Sequence, residues 1–286
     1  MNRSTPSRLA ALGVAIALVL PPAQAADAGA SAARDSNDFT ATYRTLVDRQ
    51  ADAIVPVRYV ITLSAGGQEQ RNEDRTQGVI VGADGLVLVP ARAVSLDLTA
   101  LARPGQGMPA GAEATSSGFR VRLPGSDEWR EADLVTRDTE LGLAWLRVRD
   151  ARGLPYIRFE ELAEPAPGRV FYTLLRTSDE WGAVPLVRPG MILGETRVPR
   201  STLLVDGMPG LAFDAAGRPM GYVDIDLAAM TRSQGRGLGL DMADMVMHLL
   251  PARRGAAATR LAAPLPAVRR DDEATVDPSP DAESGD

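Results

Sequence analysis

Short apolar runs separated by Gly, Pro and Asp occupy most of the chain, and helical spacing appears only near its two ends. Phe39, Tyr43, Leu46 and Val47 recur at helical spacing behind the N-caps Asp35, Ser36 and Asn37, which predicts a short amphipathic helix. After it the period shortens. Val57 to Leu63 reads as a strand, followed by a polar loop from Ser64 to Gln77. Gly78 to Val81 and Leu86 to Val89 flank a tight turn at Asp84 and Gly85. A Gly/Pro/Ala-rich insertion runs from Ala102 to Gly118, and Phe119 to Leu123, Glu131 to Val135 and Leu143 to Val148 complete a first set of strands.

A second set begins after Pro155. Val170 to Leu175, Val184 to Val187, Met191 to Leu193, Thr202 to Val205, Leu211 to Phe213 and Met220 to Ile225 read as strands, with Gly190, Gly207, Gly210, Gly217 and Gly221 between or within them. Leu240, Ala243, Met247 and Leu250 form one helical stripe that Pro251 ends, which places His248 on a closing helix. Beyond it Ala, Pro and Arg dominate, and from Asp271 the chain is acidic and free of aromatics, so the reading is a disordered tail. Many short strands with a helix at each end point to an all-β barrel or sandwich.

The first residues change the picture of where the protein goes. Arg3 and Arg8 precede an apolar run from Leu9 to Leu20; Pro21 and Pro22 break it, and Ala23-Gln24-Ala25 has the form of a cleavage site. The run is shorter than the roughly 20 apolar residues a membrane span needs. The expectation is a signal peptide over 1–25, a leader and short helix over 26–56, and an exported chain, periplasmic or secreted, with no transmembrane anchor after cleavage.

Composition narrows the chemistry. The chain of 286 residues carries no Cys, one His and a net charge of −6. A disulfide, a catalytic thiolate and a structural zinc site fall away, and no metal or other cofactor is expected. Lys is absent; every basic residue other than His248 is Arg, within an Ala- and Gly-rich composition that reads as coding bias. With no basic surplus, nucleic acid is not an expected partner. Any Ser-His-Asp chemistry would have to pass through His248, the lone imidazole.

Three segments then resemble, in order, the trypsin-like serine proteases of the HtrA/DegP type. GVIVGADGLVLVPARAV, Gly78 to Val94, resembles the hairpin that ends in T-N-x-H-V-V and carries the catalytic His. ADLVTRDTELGLAWLRVR, Ala132 to Arg149, resembles the strand that runs into D-L-A-[VL]-L-K-V with the catalytic Asp. DGMPGLAFDAAGRPMGYV, Asp206 to Val223, resembles G-N-S-G-G-P-L and the strand after it, where the Ser is the nucleophile. Gly168 to Gly194 and the run Gly237-Leu238-Gly239-Leu240 add support. The resemblance covers about 57–250 and implies a trypsin-like double β-barrel with short N- and C-terminal helices, with the tail, 251–286, where a PDZ domain would follow.

Carried over by position, the resemblance puts Arg92 at the His, Gly142 at the Asp and Pro209 at the Ser. A guanidinium accepts no proton, Gly has no carboxylate, and Pro has neither a hydroxyl nor the backbone N–H that the oxyanion hole would use. The implied expectation is a degenerate pseudoprotease, not an enzyme. Its old cleft, at Arg92, Gly142, Gly207, Met208, Pro209 and Gly210, would hold a peptide or an exported or envelope protein, with an added strand as one binding mode. Arg92 is read as a solvated loop residue, as paired with Asp138 or Glu140, or as a contact for a ligand anion. The alternative function is a serine-type hydrolase with a relocated site built on His248. Trp129, Trp145 and Trp181 read as core or rim aromatics, and Ser201 and Thr202 as turn residues.

Overall fold

The computed structural model describes residues 38–96, 98, 112–197, 201–225 and 247–263. The segment 1–37, the greater part of the insertion, Leu240, Ala243 and the acidic tail therefore lie outside the described residues, as does Gly237 to Leu240. The chain divides into two compact units, Met1–Ala41 and Thr42–Asp286, and the account below concerns the second.

Residues 38–50 are helical (α1), as the spacing predicts, and Leu46 is fully buried in the core. The strands are β1 (Ile54–Ala65), β2 (Gln68–Ile80), β3 (Leu86–Pro90), β4 (Glu113–Arg122), β5 (Trp129–Asp138) and β6 (Leu143–Val148). They continue as β7 (Val170–Arg176), β8 (Pro185–Thr196), β9 (Thr202–Asp206), β10 (Gly210–Phe213), β11 (Pro219–Asp224) and β12 (Met247–Pro251). A helix, α2 (Ala252–Ala262), follows. Antiparallel pairing closes two barrels, one in the order β1-β2-β3-β6-β5-β4 and one in the order β10-β11-β12-β9-β8-β7. The expected double β-barrel is the architecture found.

Strands β3 and β6 are buried over nearly their whole length because both of their faces are covered, and their sequences are correspondingly apolar. One core fills the first barrel and continues across the seam to Leu174, Leu211, Phe213 and Tyr222; a second surrounds Phe171, Ile192, Val205 and Leu249 inside the other barrel. Polar groups pin the seam on one side. Arg176 donates to Ile54 O and Ala51 O, each at 2.6 Å, and to Ala183 O at 3.0 Å. Asp179 accepts from Arg58 at 2.8 Å and Arg122 at 2.6 Å, and both guanidinium groups lie over Trp129, at 4.2 and 5.6 Å from its ring centre. Trp129 is thus a rim aromatic, Trp145 is core at 1% exposure, and Trp181 is out in solvent at 75%.

Five assignments differ from the sequence reading. The polar stretch from Ser64 to Gln77 is strand on either side of a turn at Gly66 and Gly67: β2 pairs with β1 from Ala65↔Gln68 to Ile54↔Val79, and its polarity reflects exposure, not a loop. Residues from Glu113 onward, assigned to the insertion, open β4, and the two short runs at 184–187 and 191–193 are one strand, β8. Met247 to Pro251, assigned to the closing helix, is a strand that completes the second barrel between β11 and β9. The closing helix lies later, at Ala252–Ala262, where the reading begins a disordered tail. Its buried positions Ala252, Gly255, Ala256, Thr259 and Ala262 form a narrow stripe of small side chains that lets the backbone come close to the barrel.

Candidate functional site

Arg92 sits on a 3-10 turn, Ala91–Ala93, that β3 delivers to the seam between the barrels. The turn is tied to Gly142 by Ala91 N–H donating to Gly142 O at 2.8 Å. The Arg92 partner is neither Asp138 nor Glu140. Its Nη1 donates to Oδ1 of Asp224, at the end of β11, so the ion pair spans the two barrels. Asp138 instead caps the turn before β6, accepting from Leu141 N at 2.9 Å. Both members of the Arg92–Asp224 pair are half-buried, with side chains 33% and 30% exposed.

Gly142 explains how the pair fits. Its φ is +70°, a left-handed conformation that costs an L side chain about 1–2 kcal/mol. A Cβ built there would stand 3.3 Å from Oδ2 of Asp224. The Asp224 carboxylate therefore fills the space into which a side chain at position 142 would project. Sequence reasoning missed Asp224, although it is the one charged residue in the apolar strand Pro219–Asp224. His248 is also closer to this site than its place in the sequence implies, since it is the register partner of Asp224 on β12.

Gly207, Met208, Pro209 and Gly210 form the turn from β9 into β10 and pack against β7. Met208 O accepts from Thr173 Oγ1 at 3.1 Å, and the Met208 side chain is 40% exposed. A Cβ on Gly207 would meet the Phe171 ring at 2.6 Å, and one on Gly210 would meet Thr173 Cγ2 at 3.0 Å, so bare backbone is required at both. Ser201 donates to Glu195 at 2.8 Å and precedes β9, while Thr202 is its first residue.

Two phenols respond to Arg92. Burial pushes Tyr222 well above the ordinary phenol range, the negative charge of Asp224 adds to this, and Arg92 opposes it. Tyr59 is raised by burial and then by Asp74, whose carboxylate accepts its hydroxyl at 3.0 Å, again against Arg92. Both phenols stay neutral in the fold at a pH where unfolded tyrosine, near pKa 10, ionises. The unfolded state then releases protons that the native state keeps, so stability falls as pH rises past about 10. Melting temperature measured from neutral to strongly alkaline pH should show this decline, and Tyr222→Phe should flatten it.

Among the described residues no group of three or more His, Asp or Glu is placed to hold a metal ion. No helix among them is long and apolar enough to cross a membrane.

No protein-family model matches the chain, and no curated protein matches it. Solved structures do. The HtrA-type protease AlgW, solved with a decapeptide, superposes with a TM-score of 0.52 at 17% identity, over 76% of this chain and 65% of that one. The serine endoprotease from Yersinia pestis superposes with a TM-score of 0.48 at 18% identity, over 77% of this chain and 66% of that one. The chain thus spans less than two thirds of the length of these proteins, and the first likeness identifies the fold as that of HtrA-type serine proteases. It also corrects one expectation. The reading of a chain that is not an enzyme, drawn from Arg92, Gly142 and Pro209, does not stand: AlgW, which shares the fold, is a protease, and nothing in the geometry is direct evidence of lost activity.

Proposed function

We propose that this protein is an exported member of the protease-fold class that captures an extended peptide segment of an exported or envelope protein at the barrel seam. The observation that carries this reading is the Arg92–Asp224 pair. It sets a half-exposed guanidinium at the seam, beside a residue with no side chain, Gly142. The exposed Met208 offers an apolar contact at the β9–β10 turn. The peptide in the AlgW structure supports the class of ligand, and the apolar run and cleavage-like Ala23-Gln24-Ala25 support export.

Fluorescence anisotropy of labelled, unstructured peptides against the purified chain tests it. Arg92→Gln and Met208→Asp should each weaken binding about tenfold, which is about 1.4 kcal/mol. Absence of peptide binding by the unaltered chain, or binding by both variants as tight as that of the unaltered chain, overturns the reading.

Peptide hydrolysis is the second reading, favoured by the register of His248 beside Asp224. An imidazole next to a carboxylate is half of the arrangement a general base needs. Turnover of a fluorogenic peptide that disappears in His248→Ala would support it; the same turnover in that variant would remove His248 from the mechanism.

A further inference from the structure

Strand β2 extends far beyond the barrel wall that it helps to close. Along one edge it pairs with β1 over its length. Along the other it meets β3 only at Val79↔Leu88 and Ile80↔Val87. From Gln68 to Arg75 the strand is exposed throughout, and among the described residues no strand pairs with its second edge there. An open edge presents a row of backbone donors and acceptors to another strand.

The sequence of this edge is Glu69-Gln70-Arg71-Asn72-Glu73-Asp74-Arg75. Its charges are arranged about Asn72 so that reversal of direction exchanges acid for base. We propose that β2 pairs antiparallel with β2 of a second copy of this chain, about a two-fold axis at Asn72. This inference is independent of the ligand at the seam. In that register Glu69 faces the partner's Arg75 and Arg71 faces the partner's Glu73. The two-fold repeats both contacts, and Asn72 faces its own copy.

Residues 69, 71, 73 and 75 share one face of the strand, so all these charge pairs form on that face. Asp74 points to the other face, where it accepts from Tyr59, and it opposes the neutral Gln70. Glu73, whose nearest basic atom is Arg58 Nε at 3.6 Å, is 60% exposed and accessible to a partner. The charges also fix the register. A shift by two residues one way sets Glu69 against the partner's Glu73 and Arg71 against its own copy. A shift the other way sets Arg71 against the partner's Arg75 and Glu73 against its own copy. Like charges directly opposite destabilise a strand pair, and opposite charges stabilise it. Closed two-fold pairing through one self-complementary patch is the commonest route to a soluble dimer.

Sedimentation at low salt tests the proposal with the full chain. The unaltered protein should show a concentration-dependent monomer–dimer equilibrium that weakens as salt screens the pairs. Glu69→Arg with Glu73→Arg makes the face wholly basic, and Arg71→Glu with Arg75→Glu makes it wholly acidic. Each doubly substituted chain alone should be monomeric, with at least about a tenfold rise in dissociation constant. An equimolar mixture of the two should restore the dimer, a result that misfolded chains could not give. Because the chain has no native Cys, Asn72→Cys offers a second readout. Under mild oxidation it should form an intermolecular disulfide more readily than Gln70→Cys, which faces Asp74. A monomeric unaltered chain at its highest soluble concentration, dimers unaffected by the charge changes, or a mixture that stays monomeric would each overturn the proposal.

Discussion

Trp145→Ala is expected to lower the free energy of unfolding by about 3–5 kcal/mol, the range for removing a large aromatic side chain from a packed core. Trp145 lies on β6, is 1% exposed and belongs to the core that continues across the barrel seam. Its indole N–H donates to Thr259 Oγ1 at 3.0 Å, and the Thr259 hydroxyl donates in turn to Gly255 O at 2.8 Å. The substitution thus opens a cavity beneath α2 and also removes the polar link that orients the helix. Thr259→Val separates the two effects. It keeps the shape but leaves the indole N–H buried without its acceptor, at a cost of about 1–3 kcal/mol. Urea unfolding of the three proteins measures both values. Equal stabilities would mean that α2 is not seated on Trp145.

Trp145 also shows what kind of information the sequence held. Its apolar strand was legible because both faces of β6 are covered, and a run such as Leu143 to Val148 has no other comfortable setting. The order of such runs made an all-β barrel or sandwich legible, and the motif resemblance made it a double barrel. β2 was not legible, because a strand whose second edge and faces are wet carries no apolar alternation to detect. The closing helix was misplaced for a related reason. Met247, Leu249 and Leu250 satisfy a strand as readily as a helix, and the true helix buries Ala, Gly and Thr, which hydrophobic periodicity scarcely registers. At the candidate site, motif resemblance singled out Arg92, Gly142 and Pro209. Asp224 was not singled out, since its role depends on a contact between a turn and a strand whose bonded residues are 132 apart in the chain.

That contact makes Gly142→Asp informative. By motif resemblance it returns a carboxylate to the matched position, yet it is expected to destabilise the fold by about 2 kcal/mol, combining the cost of a side chain in the left-handed region with local crowding. The backbone at 142 has φ +70°, and a new Cβ would be 3.3 Å from an Asp224 oxygen. The added carboxylate would therefore be forced against one that already neutralises Arg92. If this is the cause, the penalty depends on Asp224. In an Asp224→Asn background the same substitution should cost less, because the like charge is gone and Arg92 gains a replacement acceptor. A coupling of about 0.5–3 kcal/mol between the two positions is the expected outcome of the double-mutant cycle. Additive effects would show that the two positions do not share that space. A measured coupling would mean that the Asp224 carboxylate, the counter-charge to Arg92, occupies the space a side chain at position 142 would need. The Arg92–Asp224 pair joins the two barrels across the seam, and any ligand that separates the barrels at this point would have to break it.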